Sequence, residues 1–174
     1  SPLAGAVVLE LQGRHGFAHA VRRGMELVTT PYVMVVQHDR NFCRHVDLPG
    51  ILRAMEAEGS VNYVGLPSGS HTRDYANFVH SKYKELRVAP EVMAGGVVMV
   101  PLVQYYDSTH VGRTRWYREF VFRPGGLFVT EHGAPKKSMF IEDKLAQVML
   151  ADLRGRGMGV HREAWGVWLL DVCA

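Results

Sequence analysis

The sequence predicts an α/β fold, an open and mainly parallel sheet flanked by helices, as a single domain over residues 1–174. Three observations predict it. Short apolar, β-branched runs at residues 6–11 (AVVLEL), 32–36 (YVMVV) and 61–66 read as buried strands. Between them, apolar residues recur at three- and four-residue steps, the period of a helix with one face buried. The connections are short, as alternating strands and helices in a parallel sheet require. Composition agrees: 47% of the residues are apolar and 21% charged, an ordinary globular balance.

Taken in order, Gly13 and Gly16 break the first strand. Phe17, Ala20, Val21, Gly24, Met25 and Val28 then form a helical stripe, which Thr29-Thr30-Pro31 ends. The second strand runs into Gln37-His38-Asp39-Arg40, and Pro49 with residues 51–57 gives a helix closed by Gly59. Beyond the third strand, residues 74–87 read as a helix carrying Tyr75, Phe78, Val79 and Tyr83 on one side. Residues 97–100 and 106–111 read as strands, and residues 113–122 as a short helix. The glycine- and proline-bearing stretch 123–138 reads as a loop, of the length that often covers a binding face. Residues 139–154 form a helix with Ile141, Leu145, Val148, Met149 and Leu153 inward; then Gly159-Val160 reads as strand-like, before His161 and the apolar tail 165–170.

The formal charge is +3 and no run of Lys or Arg exceeds two, so nucleic-acid binding by phosphate neutralisation is not expected. Cys43 and Cys173 have no metal or redox spacing and read as reduced thiols. The longest apolar stretch, residues 92–103, is broken by two glycines and a proline and is shorter than the ~20 residues that span a bilayer, so no membrane contact is expected within this segment. The chain has no initiator Met and opens inside a strand pattern, which reads as a fragment of a longer protein. On that reading any membrane anchor lies outside this chain, and the compartment stays open.

Four places could carry chemistry. In α/β sheets ligands gather at the carboxyl ends of strands, so Asp39, closing an apolar strand, offers hard oxygen to Mg²⁺ or Mn²⁺; a turn Asp is the plainer alternative. Glu142 and Asp143 open a helix, where either could be a general base, although two acids there also suit the helix dipole. His161 follows a strand-like pair and gains interest only beside a metal. The run Tyr105-Tyr106-Asp107-Ser108-Thr109-His110 could line an acceptor pocket or form a half-buried strand.

Gly16 to Gly24, the strand with its acidic end YVMVVQHD, the segment 106–113, the helix opening FIEDKLAQ and Val160-His161 occur in an order that resembles family 2 glycosyltransferases of the GT-A type. The resemblance implies a metal-dependent, nucleotide-sugar dependent transferase, inverting, that moves a sugar to an acceptor hydroxyl of a carbohydrate or other molecule. It implies Asp39 and His161 as ligands of Mn²⁺ or Mg²⁺, and Asp143 or Glu142 as base. Arg22, Gln37 and His38 would lie against the donor, and Tyr106, Asp107 and His110 against the acceptor. The chain departs from the family where Gln37 replaces the first acid of the Asp-x-Asp motif and where Arg22 replaces an Asn. The family's first strand and helix also have no counterpart before Ala6. Two other readings stay open: a degenerate, non-catalytic sugar- or nucleotide-binding domain, and a metal-dependent hydrolase or nucleotidyltransferase.

Overall fold

The computed structural model of this chain describes residues 5–13, 16–39, 42, 45–68, 74–136 and 140–171. Cys43 and Cys173 lie outside them, as do Arg40 and Met139.

Helix α1 (Phe17–Leu27) starts at Gly16, whose φ of 81° favours glycine, and buries Ala18 and Met25. Strand β1 (Tyr32–Val35) follows. Helix α2 (Leu48–Ala57) has a proline in its first turn and is capped by Asp47, whose side chain accepts from the Gly50 N–H at 2.9 Å. Then come β2 (Tyr63–Gly65), α3 (Tyr75–Lys82, capped by Asp74), β3 (Glu91–Val92), β4 (Val98–Pro101) and β5 (His110–Arg113). A single helical turn, α4 (Thr114–Trp116), runs into a π turn over Tyr117–Val121. Helix α5 (Ile141–Arg156), a 3-10 turn over Met158–Val160, α6 (His161–Ala164) and β6 (Val167–Leu170) complete the chain.

Among the described residues six strands form one open mixed sheet in the order β1-β5-β2-β6-β4-β3. Four of its five pairings are antiparallel, and β2–β6 is parallel. The expectation of a mainly parallel sheet is therefore corrected. Strands β1 and β2 do run the same way, but β5 returns between them and pairs with both: Val35 and Gly65 each lie opposite His110.

Successive residues of a strand face opposite sides, and here each side has its own core. On one side Val64, Met99, Val111 and Trp168 pack with Ile51, Ala54 and Met55 of α2. On the other, Tyr63, Val100, Val167 and Leu169 pack under Ala18 and Met25 of α1, Tyr75 and Val79 of α3, and the α5 stripe Ile141, Leu145, Met149 and Leu153. Two glycines make this packing possible. Gly112 lets the Tyr117 ring approach, since a Cβ there would stand 2.8 Å from it; Gly166, at φ 59°, would set a Cβ 1.8 Å from Ser60 O.

Four local expectations are also corrected. Residues 6–11 form no strand: they are mostly exposed, Val8 at 91%, and pair with no strand. Strand β5 begins at His110 rather than Tyr106, because the preceding residues turn across the sheet's end. Gly159-Val160 belongs to a 3-10 turn, and Val148 faces solvent. Among the described residues no helix is long and apolar enough to cross a membrane.

Candidate active site

Because β1, β2 and β6 run in one direction, their carboxyl ends share one edge of the sheet. The turn after β1, the turn after β2 and the approach to β5 all lie there; Leu66 N–H donates to Thr109 O at 2.9 Å, joining the last two. A cavity of about 400 Å³ opens at this edge and over the α5 side of the sheet. Tyr63, Gly65, Leu102 and Leu169 line its apolar part; Gln37, Asp39, Asp107, Glu142 and Asp143 line its polar part.

Four carboxylates from three separate segments thus meet around one space. Asp39 is exposed in the turn after β1. Helix α5 carries Glu142 and Asp143 in its first turn, where the positive end of the helix dipole favours them. The buried stripe at Ile141 and Leu145 fixes the rotation of α5, which leaves Glu142 half-buried and Asp143 exposed.

Asp107 holds this helix end in place. Phe140 occupies the N-cap position and supplies no side-chain bond. Asp107 does so from 35 residues away: Glu142 N–H donates to Asp107 Oδ2 at 3.1 Å, and Asp107 N–H donates to Glu142 Oε2 at 2.9 Å. The pair works as a capping box built between two distant segments. Its second oxygen, Oδ1, is buried with no hydrogen-bond partner. Burial, with the charges of Glu142 and Asp143 adding and the Glu142 N–H opposing, pushes the Asp107 carboxyl up to about 7.

The two acids at the α5 opening differ. Glu142 spends one oxygen on the Asp107 N–H, whereas Asp143 makes no hydrogen bond or ion pair among the described residues. Tyr106 also lines the cavity, and burial raises its hydroxyl to about 12, so it stays protonated near neutral pH. Tyr63 fixes that segment by donating from its hydroxyl to Tyr106 O at 2.8 Å.

The remaining predicted residues lie elsewhere. His110 is in the core behind the cavity, stacked on Tyr63 with ring centroids 4.4 Å apart. Its Nδ1–H donates to Ser108 O at 2.6 Å, Nε2 accepts from Tyr117, and the Tyr105 hydroxyl donates to Tyr117 at 2.9 Å. Burial pushes His110 down to about 4, so the ring is neutral near pH 7, and His110 is not among the residues that line the cavity. Arg22 donates to Gly133 O at 2.8 Å, tying α1 to the loop before α5 rather than lining the cavity. His38 is exposed in the turn beside Asp39 and is not part of the wall.

His161 is not brought to Asp39. Its Nε2–H donates to Val167 O at 2.9 Å, at the amino end of β6, and its ring packs edge-on against Trp168 in the opposite core. Burial pushes it down to about 4. Among the described residues no three His, Cys, Asp or Glu side chains come close enough to hold a metal ion. Mg²⁺ asks less of a protein than that, since one or two carboxylates with substrate phosphates and waters suffice. Asp39, exposed on the cavity, offers one such carboxylate, whereas the unpartnered Asp107 Oδ1 is buried.

Sequence reasoning missed Ser68, in the cavity wall. Ser68 sits in a Pro-Ser-Gly-Ser run closing a strand, the composition of a turn at the same sheet edge as Asp39, and that signal was available. No family model matches this chain, and neither a curated protein nor a solved structure matches it.

Proposed function

We propose that this chain is a glycosyltransferase domain of the GT-A type, which uses a nucleotide-sugar donor and transfers its sugar to an acceptor hydroxyl. One observation carries the reading: Asp39, at the end of β1, and Asp143, about a hundred residues later at the start of α5, face one cavity at the carboxyl edge of the sheet. That edge is where an α/β fold collects a ligand, and the two acids there have separable tasks.

Asp143 is the base. Its carboxylate is unengaged and solvent-connected, so it can accept the proton of an acceptor hydroxyl as that oxygen attacks the anomeric carbon. The bond from that carbon to the donor phosphate breaks on the opposite face, and the configuration inverts. Glu142 is the anchor that holds Asp143 at this spot through its exchange with Asp107. Asp39 would hold a Mg²⁺ or Mn²⁺ against the donor diphosphate, where the cation supplies Lewis-acid stabilisation of the departing nucleotide. Gln37, beside Asp39, offers a neutral amide to the same phosphates. His161 and Arg22 have no part in this reading.

The test is a panel of UDP-, GDP- and dTDP-sugars with Mn²⁺ and simple sugar acceptors, with released nucleotide as readout. Asp143→Asn should lower transfer by about 10²-fold or more while nucleotide binding, measured by calorimetry, survives. Unchanged turnover in that variant refutes the base assignment. Failure of every nucleotide to bind favours the non-catalytic alternative, and nucleotide release that needs no acceptor favours the hydrolase.

A further inference from the structure

A second cavity, also about 400 Å³, lies on the far side of Tyr106 and Glu142, which line both spaces. Helix α3 gives it Phe78 and Lys82, four residues apart and so on one face; α5 gives it Glu142 and Ala146, spaced the same way. Gln104 closes it between the helices. Ala146 is the smallest side chain in the lining, so a longer one at that position would intrude on the space.

The polar groups here are unevenly spread. The Lys82 ammonium lies 5.2 Å from the ring centres of Phe78 and Tyr83 and forms no ion pair among the described residues. Gln104 Oε1 already accepts from the Tyr83 hydroxyl at 2.7 Å, which leaves its amide N–H₂ to donate. One side of the cavity is therefore a set of donors with positive charge. The other side is Glu142, an acceptor with negative charge. Phe78 and Tyr106 give the cavity an aromatic wall, of the kind that packs against the apolar side of a sugar.

We propose that this second cavity is the acceptor subsite and that it takes a sugar ring bearing an anionic group, a carboxylate or a phosphate, bound at Lys82 and Gln104 with its hydroxyls toward Glu142. The inference rests on the glycosyltransferase reading for the word acceptor, and its binding claim stands apart from it. A ring so placed lies against the wall that also bounds the Asp143 cavity, so a hydroxyl on the next unit reaches the base. A neutral sugar leaves the Lys82 ammonium without a counter-charge, and a bare anion leaves the aromatic wall unused.

Titrating the ¹⁵N-labelled protein with glucuronate, glucose 6-phosphate, glucose and inorganic phosphate tests this by NMR. Glucuronate or glucose 6-phosphate should bind about tenfold tighter than glucose, the worth of one charge-assisted hydrogen bond, with shifts at Lys82 and Gln104. The tighter of the two identifies carboxylate or phosphate as the group recognised. Lys82→Gln, an exposed change, should erase the preference, and Ala146→Leu should block both sugars. Equal affinity for glucose and glucuronate, survival of the preference in Lys82→Gln, or inorganic phosphate binding as tightly as the sugar phosphate overturns the proposal. UDP binding with Mn²⁺ is followed in the same samples. If it is absent while the sugars still discriminate, the glycosyltransferase reading falls and the anionic-sugar site stands; if it is present while they do not, the reverse holds.

Discussion

Replacing Asp107 with Asn keeps a carbonyl oxygen for the Glu142 N–H and removes a charge that the fold has buried. Burial is the largest cause of its shift, from 3.8 to about 7. A raised folded value means that the folded chain binds this proton more tightly than the unfolded chain does. The stabilisation is full below pH 4 and is lost as the pH climbs to about 7. A shift of about three units, at ~1.36 kcal/mol each, makes the whole loss up to about 4 kcal/mol. About 2.5 kcal/mol of it falls between pH 5 and pH 8. Titrations not coupled to Asp107 are common to both proteins and cancel in the difference. Urea unfolding of both at pH 5, 6, 7 and 8 should therefore show Asp107→Asn gaining on the wild type by about 2.5 kcal/mol, most of it before pH 7. A difference that stays constant, or that drifts toward the wild type, refutes the idea of a buried carboxylate whose Oδ1 lacks a partner.

Two further predictions concern stability. His110 and His161 are pushed down to about 4 by burial, so their contribution has the opposite sign: it is complete above about 6.5 and is lost as the pH falls through about 4, by up to ~3 kcal/mol each. The melting temperature of the wild type should drop over that window, and His161→Gln should drop less; equal slopes refute the assignment of His161 as a buried neutral ring. Gly166→Ala places a Cβ at φ 59° and 1.8 Å from Ser60 O, and should cost at least ~2 kcal/mol in chemical denaturation. A neutral result would mean that the turn into β6 is not as described.

The longer helices α1, α3 and α5 were legible because apolar residues recur in them at the helical period. Strand direction was not legible. A strand, a helix and a strand in sequence suggest parallel neighbours, and β1 and β2 are in fact parallel; what no local pattern reveals is that β5 inserts between them. Its insertion is accompanied by Gly112 admitting Tyr117 and by His110 stacking over Tyr63, the latter a contact between residues 47 positions apart. The run at residues 6–11 shows the converse. β-branched composition describes a surface that fits a sheet, and without a neighbouring strand to pair it the same residues stay exposed.

The site divides along the same line. Asp39, Glu142 and Asp143 were found because each sits where an element begins or ends, and the ends of elements are fixed by the periodicity that defines them. His161 was misplaced because its neighbours, Gly159 and Val160, resemble a strand that the chain does not form, and an imidazole beside an apolar run serves packing as readily as coordination. Asp107 was flagged as an acceptor contact, and it does line the cavity, but its hydrogen-bond exchange with Glu142 was not foreseen. The clue to its actual partner lay at Phe140, a residue that cannot cap a helix, before a 16-residue helix whose first turn carries two acids. A helix so begun needs an acceptor from elsewhere, and Asp107 supplies it. The charge that caps α5 is therefore the same charge that is raised by burial. The fold thus carries a stability cost at neutral pH at the contact that fixes the opening of α5, and with it Asp143, on the cavity.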